Sequence, residues 1–233
     1  MKFSEFAFSA KAAVIVGALA TLVLSGCYTP KNPDAMHTKG LLGRKTPMRE
    51  VTNVHVTQLP KHLRRVAILP FHPGNYEHID FSVMERNFMM ELGKRNLFEI
   101  VEVEADEMMA EFEEESFSSI ESLPAELLSK LHQIYAIDGI LLTDISYYRP
   151  YQPVGIGVRL KLLDGRTGEI VWAVDEIFDS SSPTVENSVK TYYLSESLIQ
   201  YPLNATDTVI QSPARFSKYV AHSVFNTISL QKD

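Results

Sequence analysis

A chain of 233 residues, 45% hydrophobic and 22% charged, holds enough apolar material for one domain of about 150 to 200 residues with its own core. Its formal net charge is −7, and because the first 26 residues carry +1 (Lys2 and Lys11 against Glu5), the remainder carries −8. That acidic balance excludes nucleic acid, whose phosphates need a basic footprint, and gives no polybasic support on an anionic lipid surface.

Lys2 and Lys11 precede an apolar run over residues 12–24. The run suits the h-region of a secretory signal, roughly 7 to 15 residues, and falls short of the about 20 that span a bilayer. Small residues follow, ending at Cys27, the single cysteine of the chain. Leu24-Ser25-Gly26-Cys27 closely resembles the bacterial lipobox, where the signal is removed and the cysteine becomes the lipidated first residue. The resemblance implies a signal peptide over residues 1–26 and a diacylglyceryl group on Cys27, usually joined by an amide-linked acyl chain. Each buried methylene contributes about 0.8 kcal/mol, so several chains hold a protein stably where one does not. A free cysteine is unusual in an oxidising compartment, and lipidation accounts for this one. The next residue is Tyr28 and not the aspartate that retains such proteins at the inner membrane of enteric bacteria. The expected location is therefore the periplasmic face of the outer membrane.

Residues 27–54 carry Pro30, Pro33, Pro47, Gly40 and Gly43 without a hydrophobic period, and read as a tether ahead of a single domain over residues 55–233. The apolar run around Val66-Ala67-Ile68-Leu69, closed by Pro70, predicts a buried strand. Ser82 with Glu85 fits a capping box for a helix whose stripe is Phe81, Met84, Phe88 and Leu92. A second strand follows over residues 96–103, making a strand, helix, strand unit. Met108, Met109 and Phe112 mark a further helix in an acidic stretch that lacks the ligand spacing of a calcium loop. After Pro124, Leu127, Leu128, Leu131 and Ile134 predict another helix. Residues 140–148 then read as a central strand ending before Pro150.

Val154, Ile156, Val158, Leu160 and Leu162 alternate with Gly155, Gly157, Arg159 and Lys161, and the chain returns with Ile170, Trp172 and Val174 on one face. The pattern predicts a long β-hairpin, buried on one side and wet on the other. Gly155 and Gly157 mark a bend or a close backbone approach, and Trp172 is expected against a helix. A helix from Pro183 runs through Val185, Val189, Tyr192 or Tyr193 and Leu198. A surface loop over residues 202–212 leads to a last helix opened by Ser212-Pro213. The fold expected is one α/β domain of two or three layers, with a mixed sheet of about five strands flanked by helices.

Val66-Ala67-Ile68-Leu69-Pro70-Phe71, the strand opening at Asp138-Gly139, and the hairpin from Val158 through Asp164-Gly165-Arg166-Thr167-Gly168 to Trp172 together resemble the CsgG and TolB amino-terminal-domain group of envelope lipoproteins. The resemblance implies a non-catalytic role as adaptor or assembly factor for envelope proteins, with protein partners or a homo-oligomer. The alternative it implies is a subunit of an oligomeric secretion channel like that for curli. Such a pore needs two membrane hairpins, and one hairpin of that kind is visible.

The residues themselves argue for no reaction. There is no Gly-x-Ser-x-Gly elbow and no phosphate-binding glycine loop, and the histidines lack zinc-helix spacing. The nearest approach to a metal set is His72 and His78 with Glu77 and Asp80, which reads as a polar loop. No enzyme, metal or cofactor is expected. The most function-like stretch is Tyr147-Tyr148-Arg149-Pro150-Tyr151-Gln152-Pro153. Its residues Tyr147, Tyr148, Arg149 and Tyr151 form either a partner surface, since Tyr and Arg dominate binding hot spots, or a rigid loop covering the edge of the core.

Overall fold

The computed structural model describes residues 48–196 and 210–228. The signal, Cys27, the tether before residue 48, Leu198 and most of the loop expected over residues 202–212 lie outside the described residues. The elements are β1 (Val54–Val56), β2 (Arg65–Ile68), α1 (Ser82–Lys94), β3 (Glu99–Glu102), α2 (Ala105–Phe112), α3 (Leu127–Tyr135), β4 (Gly139–Arg149), β5 (Gly155–Asp164), β6 (Ile170–Asp179), α4 (Pro183–Glu196) and α5 (Pro213–Phe225). They build a six-stranded mixed sheet in the order β1-β6-β5-β4-β2-β3. β2 runs parallel to β3 and β4, while β4, β5, β6 and β1 are antiparallel in succession.

Each face of the sheet has its own core. On one, Met84, Phe88 and Leu92 of α1 meet Val185 and Val189 of α4, Phe216, Val220 and Phe225 of α5, and the inward side of the hairpin. Phe88 and Phe225 touch edge to face at 5.8 Å, and Trp172 donates to Thr227 Oγ1 at 2.9 Å beyond α5, as expected of an indole against a helix. On the other face, Met108, Leu127 and Leu131 cover Ala67, Leu69, Ile140 and Leu142. The chain is apolar at every position from Val66 in β2 to Leu69 just after it because both faces are covered there.

Three local expectations change. The capping box at Ser82 does not form: the Glu85 carboxylate accepts the amide of Phe71 at 2.8 Å, and Asp80 Oδ1 accepts the Ser82 amide at 2.9 Å. A bulge in the β5–β6 register, where Leu162 faces Trp172 but Leu163 faces Ile170, rotates Ile170 out of the phase of Trp172 and Val174. Ile170 is exposed and Val171 buried in consequence. Ile134 leaves the stripe of α3, whose buried residues are Leu127 and Leu131.

The described part of the expected tether, residues 48–54, lies on the domain, and its last residue, Val54, opens β1. Glu176 on β6 holds it: the carboxylate accepts the amides of Thr52 (2.6 Å) and Asn53 (2.8 Å) and pairs with Arg49, whose own amide reaches Ser188 Oγ at 2.8 Å. Burial pushes this carboxyl up, but the amides of Asn53 and Thr52 and the Arg49 charge outweigh it and leave it below its ordinary value. Glu176→Ala is expected to speed hydrogen exchange at the Thr52 and Asn53 amides about tenfold or more while the α5 amides keep their protection.

Candidate partner surface

On the face turned away from α1, α4 and α5, the register of β4, β5 and β6 stacks side chains in rows. One row is Arg149, Gly155 and Asp179; the next is Tyr147, Gly157 and Ile177; the next is Asp144, Arg159 and Asp175. Neighbours within a row stand close enough to interact. Leu142, Leu163 and the helices α2 and α3 close the far end of this face, and the first two rows stay open.

The placement of Tyr147 is set by a bulge. Alternation from Leu141, Thr143 and Ile145 would aim Tyr147 at the helices, but the register shifts between Ile145 and Tyr147. Tyr148 takes the inward position instead, with its ring 5.1 Å from Phe81 and 6.1 Å from Tyr76, and burial pushes its hydroxyl pKa up. Tyr148, partly buried, therefore packs at the edge of the core. Tyr147 is turned onto the opposite face, over two glycines. A Cβ on Gly155 would lie 2.5 Å from Tyr147 Cε1, and one on Gly157 would lie 2.7 Å from Tyr147 Cβ. These glycines are the close approach their spacing suggested.

Arg149 locks the arrangement. With no side chain at Gly155, its guanidinium reaches across β5 to Asp179 Oδ2 at 2.8 Å, donates to the Pro153 carbonyl, and lies 5.9 Å from the Tyr147 ring centre. Burial pushes the Asp179 carboxyl up; the Ser181 hydroxyl and amide together with Arg149 prevail and hold it below its ordinary value. Two rows away, Arg159 pairs with Asp175 at 2.7 Å and faces Asp144 at 3.9 Å. Asp144 is itself buried and accepts the amide of Ser119 at 2.9 Å, and Lys161 holds the Ser119 carbonyl. Ion pairs thus brace both sides of a small apolar saddle formed by Tyr147 and Ile177.

Ile177 is 53% exposed, and Tyr151, in the loop at the end of the surface, is 82% exposed. Sequence reasoning named Tyr147, Arg149 and Tyr151 but missed Ile177, Asp179 and the Arg159–Asp175 pair. The signal for Ile177 was present: it is an apolar residue on the wet phase of a strand whose buried phase is Trp172 and Val174. Among the described residues, no group of three or more His, Cys, Asp and Glu is placed to hold a metal ion. His72 Nδ1 meets Ser116 Oγ at 3.3 Å, and His78 is exposed.

No protein-family model matches the chain, and no curated protein matches it. Among solved structures, it is similar to the PelC dodecamer from Paraburkholderia phytofirmans, with 13% identity, 71% of this chain and 96% of that chain covered, and a TM-score of 0.38. A lipoprotein from Neisseria meningitidis shares 16% identity over 58% of this chain and 99% of its own, with a TM-score of 0.37. The LpoB C-terminal domain from Escherichia coli shares 13% identity over 62% of this chain and 93% of its own, with a TM-score of 0.31.

Proposed function

We propose that the chain is an outer-membrane lipoprotein, anchored through Cys27, whose periplasmic α/β domain is a non-catalytic adaptor or assembly factor that docks other envelope proteins on the Tyr147–Ile177 saddle. The anchor rests on Leu24-Ser25-Gly26-Cys27. The observation that carries the docking role is an exposed isoleucine beside a tyrosine on strands braced by the Arg149–Asp179 and Arg159–Asp175 pairs. Apolar surface rimmed by polar groups suits protein contact, and a rigid surface loses little entropy on binding.

The test is site-specific photocrosslinking in intact cells from a photoreactive residue at position 151. An envelope protein is expected to be captured, and Ile177→Asp is expected to lower its yield about tenfold or more, the scale of a hot-spot residue. Equal capture by the Ile177→Asp variant overturns the reading. Conductance steps from the lipidated protein in planar bilayers would replace it with the secretion-channel alternative.

A further inference from the structure

At the carboxyl ends of β2 and β3, where open α/β sheets commonly take up ligands, a cleft opens between the loop after β2, the start of α1 and the start of α2. Its lining mixes apolar and polar groups: Phe71 and Phe81 are buried beneath it, Met89 and Met109 line it from α1 and α2, and His72, Ser82, Glu85 and Ser116 share the lining. Met109 is 44% exposed, a large flexible side chain that presents apolar area to the cleft.

The rim has one sign of charge. Glu77 and Asp80 stand on one side, Glu102 and Glu104 on another, and Glu114 and Glu115 close the third. No Lys or Arg is among the described residues that line the cleft; Arg86 acts on Asp80 from outside it. Glu85 shows the consequence inside. Its half-buried carboxyl is pushed up by burial and then by Asp80, Glu102 and Glu104, against the single amide of Phe71 that favours its charge. The cleft thus joins the exposed apolar area of Met109 to a negative potential that no Lys or Arg among the described lining residues offsets.

We infer that this cleft docks a basic amphipathic segment of a partner protein, with apolar anchors on the Met109 and Phe71 floor and Lys or Arg against the Glu102, Glu104, Glu114 and Glu115 rim. Complementary charge around an apolar groove both speeds encounter and selects the partner, and an adaptable methionine fits a helix that lays its apolar side into such a groove. The site is separate from the Tyr147–Ile177 saddle.

The test uses the full chain and two fluorescein-labelled amphipathic peptides of equal length, one built from Leu and Lys and one from Leu and Glu, with binding followed by anisotropy. The Leu and Lys peptide is expected to bind, to weaken as salt screens the rim, and to lose about tenfold in affinity in the double variant Glu114→Lys with Glu115→Lys. Met109→Asp should weaken it as well. Tyr151→Ala should leave it unchanged, so failure at the cleft and failure at the saddle are told apart. Both rim positions are exposed, and an unchanged circular dichroism melt keeps the comparison valid. Equal binding of the Leu and Glu peptide, or unchanged affinity in the rim and Met109 variants, overturns the inference. So does calorimetric binding of calcium that the rim variant abolishes in the absence of peptide binding, which would reassign the cleft to a divalent cation.

Discussion

Replacing Glu91 by Ala is expected to lower the unfolding free energy by about 3 kcal/mol near neutral pH, the lower end for removing one member of a buried ionic set. Glu91 sits in the last turn of α1 with its side chain 1% exposed. It accepts from Lys94 at 2.7 Å and Tyr192 at 2.8 Å, and faces His222 Nδ1 at 3.5 Å, so it joins α1, α4 and α5 on one face of the sheet. The value falls at the lower end because Lys94 and His222 are each more than a third exposed and water can solvate what they lose. Tyr192, only 5% exposed, is the partner that water reaches least.

The pH dependence follows from the same contacts. Burial pushes the Glu91 carboxyl up, but its partners His222, Lys94 and Tyr192 prevail and bring it down to about 2, against an ordinary 4.5. A folded-state pKa below the unfolded one gives stability that is complete above about 4.5 and is lost as pH falls toward about 2. Urea unfolding of the wild type should show that loss across the window, and the Glu91→Ala variant should lack most of it. A wild type with no change between neutral pH and pH about 3 would show that the carboxylate is not held by this set.

The core stripes were legible because burial imposes a period. Met84, Phe88 and Leu92 recur at helical spacing under one sheet face, and Val158, Leu160 and Leu162 alternate because β5 has one side under the helices. β1 was not legible: three residues at an edge, Val54, His55 and Val56, have no room to show alternation, and the bonds of residues 49–53 to Glu176 join positions more than 120 apart. The two bulges defeated the period-two reading for a related reason. An extra residue flips every side chain beyond it, and nothing in Ser146 or Val171 announces the insertion. The saddle was legible only in its local half. Tyr147, Arg149 and Tyr151 sit together in the sequence, whereas Ile177 and Asp179 reach them through strand pairing that only the whole register fixes.

Cys27→Ser is expected to have the largest effect on location, moving the protein from the washed membrane fraction to the soluble periplasmic fraction. With several acyl chains at about 0.8 kcal/mol per buried methylene, the anchored form should survive high-salt washing, because a body of net charge −8 gains nothing from anionic lipid. Stability should stay within about 0.5 kcal/mol of the wild type, since the described contacts that hold the domain begin only at Met48 and Arg49. The two binding surfaces should then separate by assay. Peptide affinity at the acidic cleft, measured in solution, is expected to be unchanged in Cys27→Ser. Crosslinking from position 151 in cells is expected to fall, because under the proposed anchor the 20 residues from 28 to 47 would confine the domain to at most about 70 Å from the bilayer and release would remove that effective concentration. Retention of Cys27→Ser in washed membranes would mean that something other than lipid on this residue holds the chain there. A soluble variant with undiminished crosslinking would mean that tethering is not how the domain finds its partner.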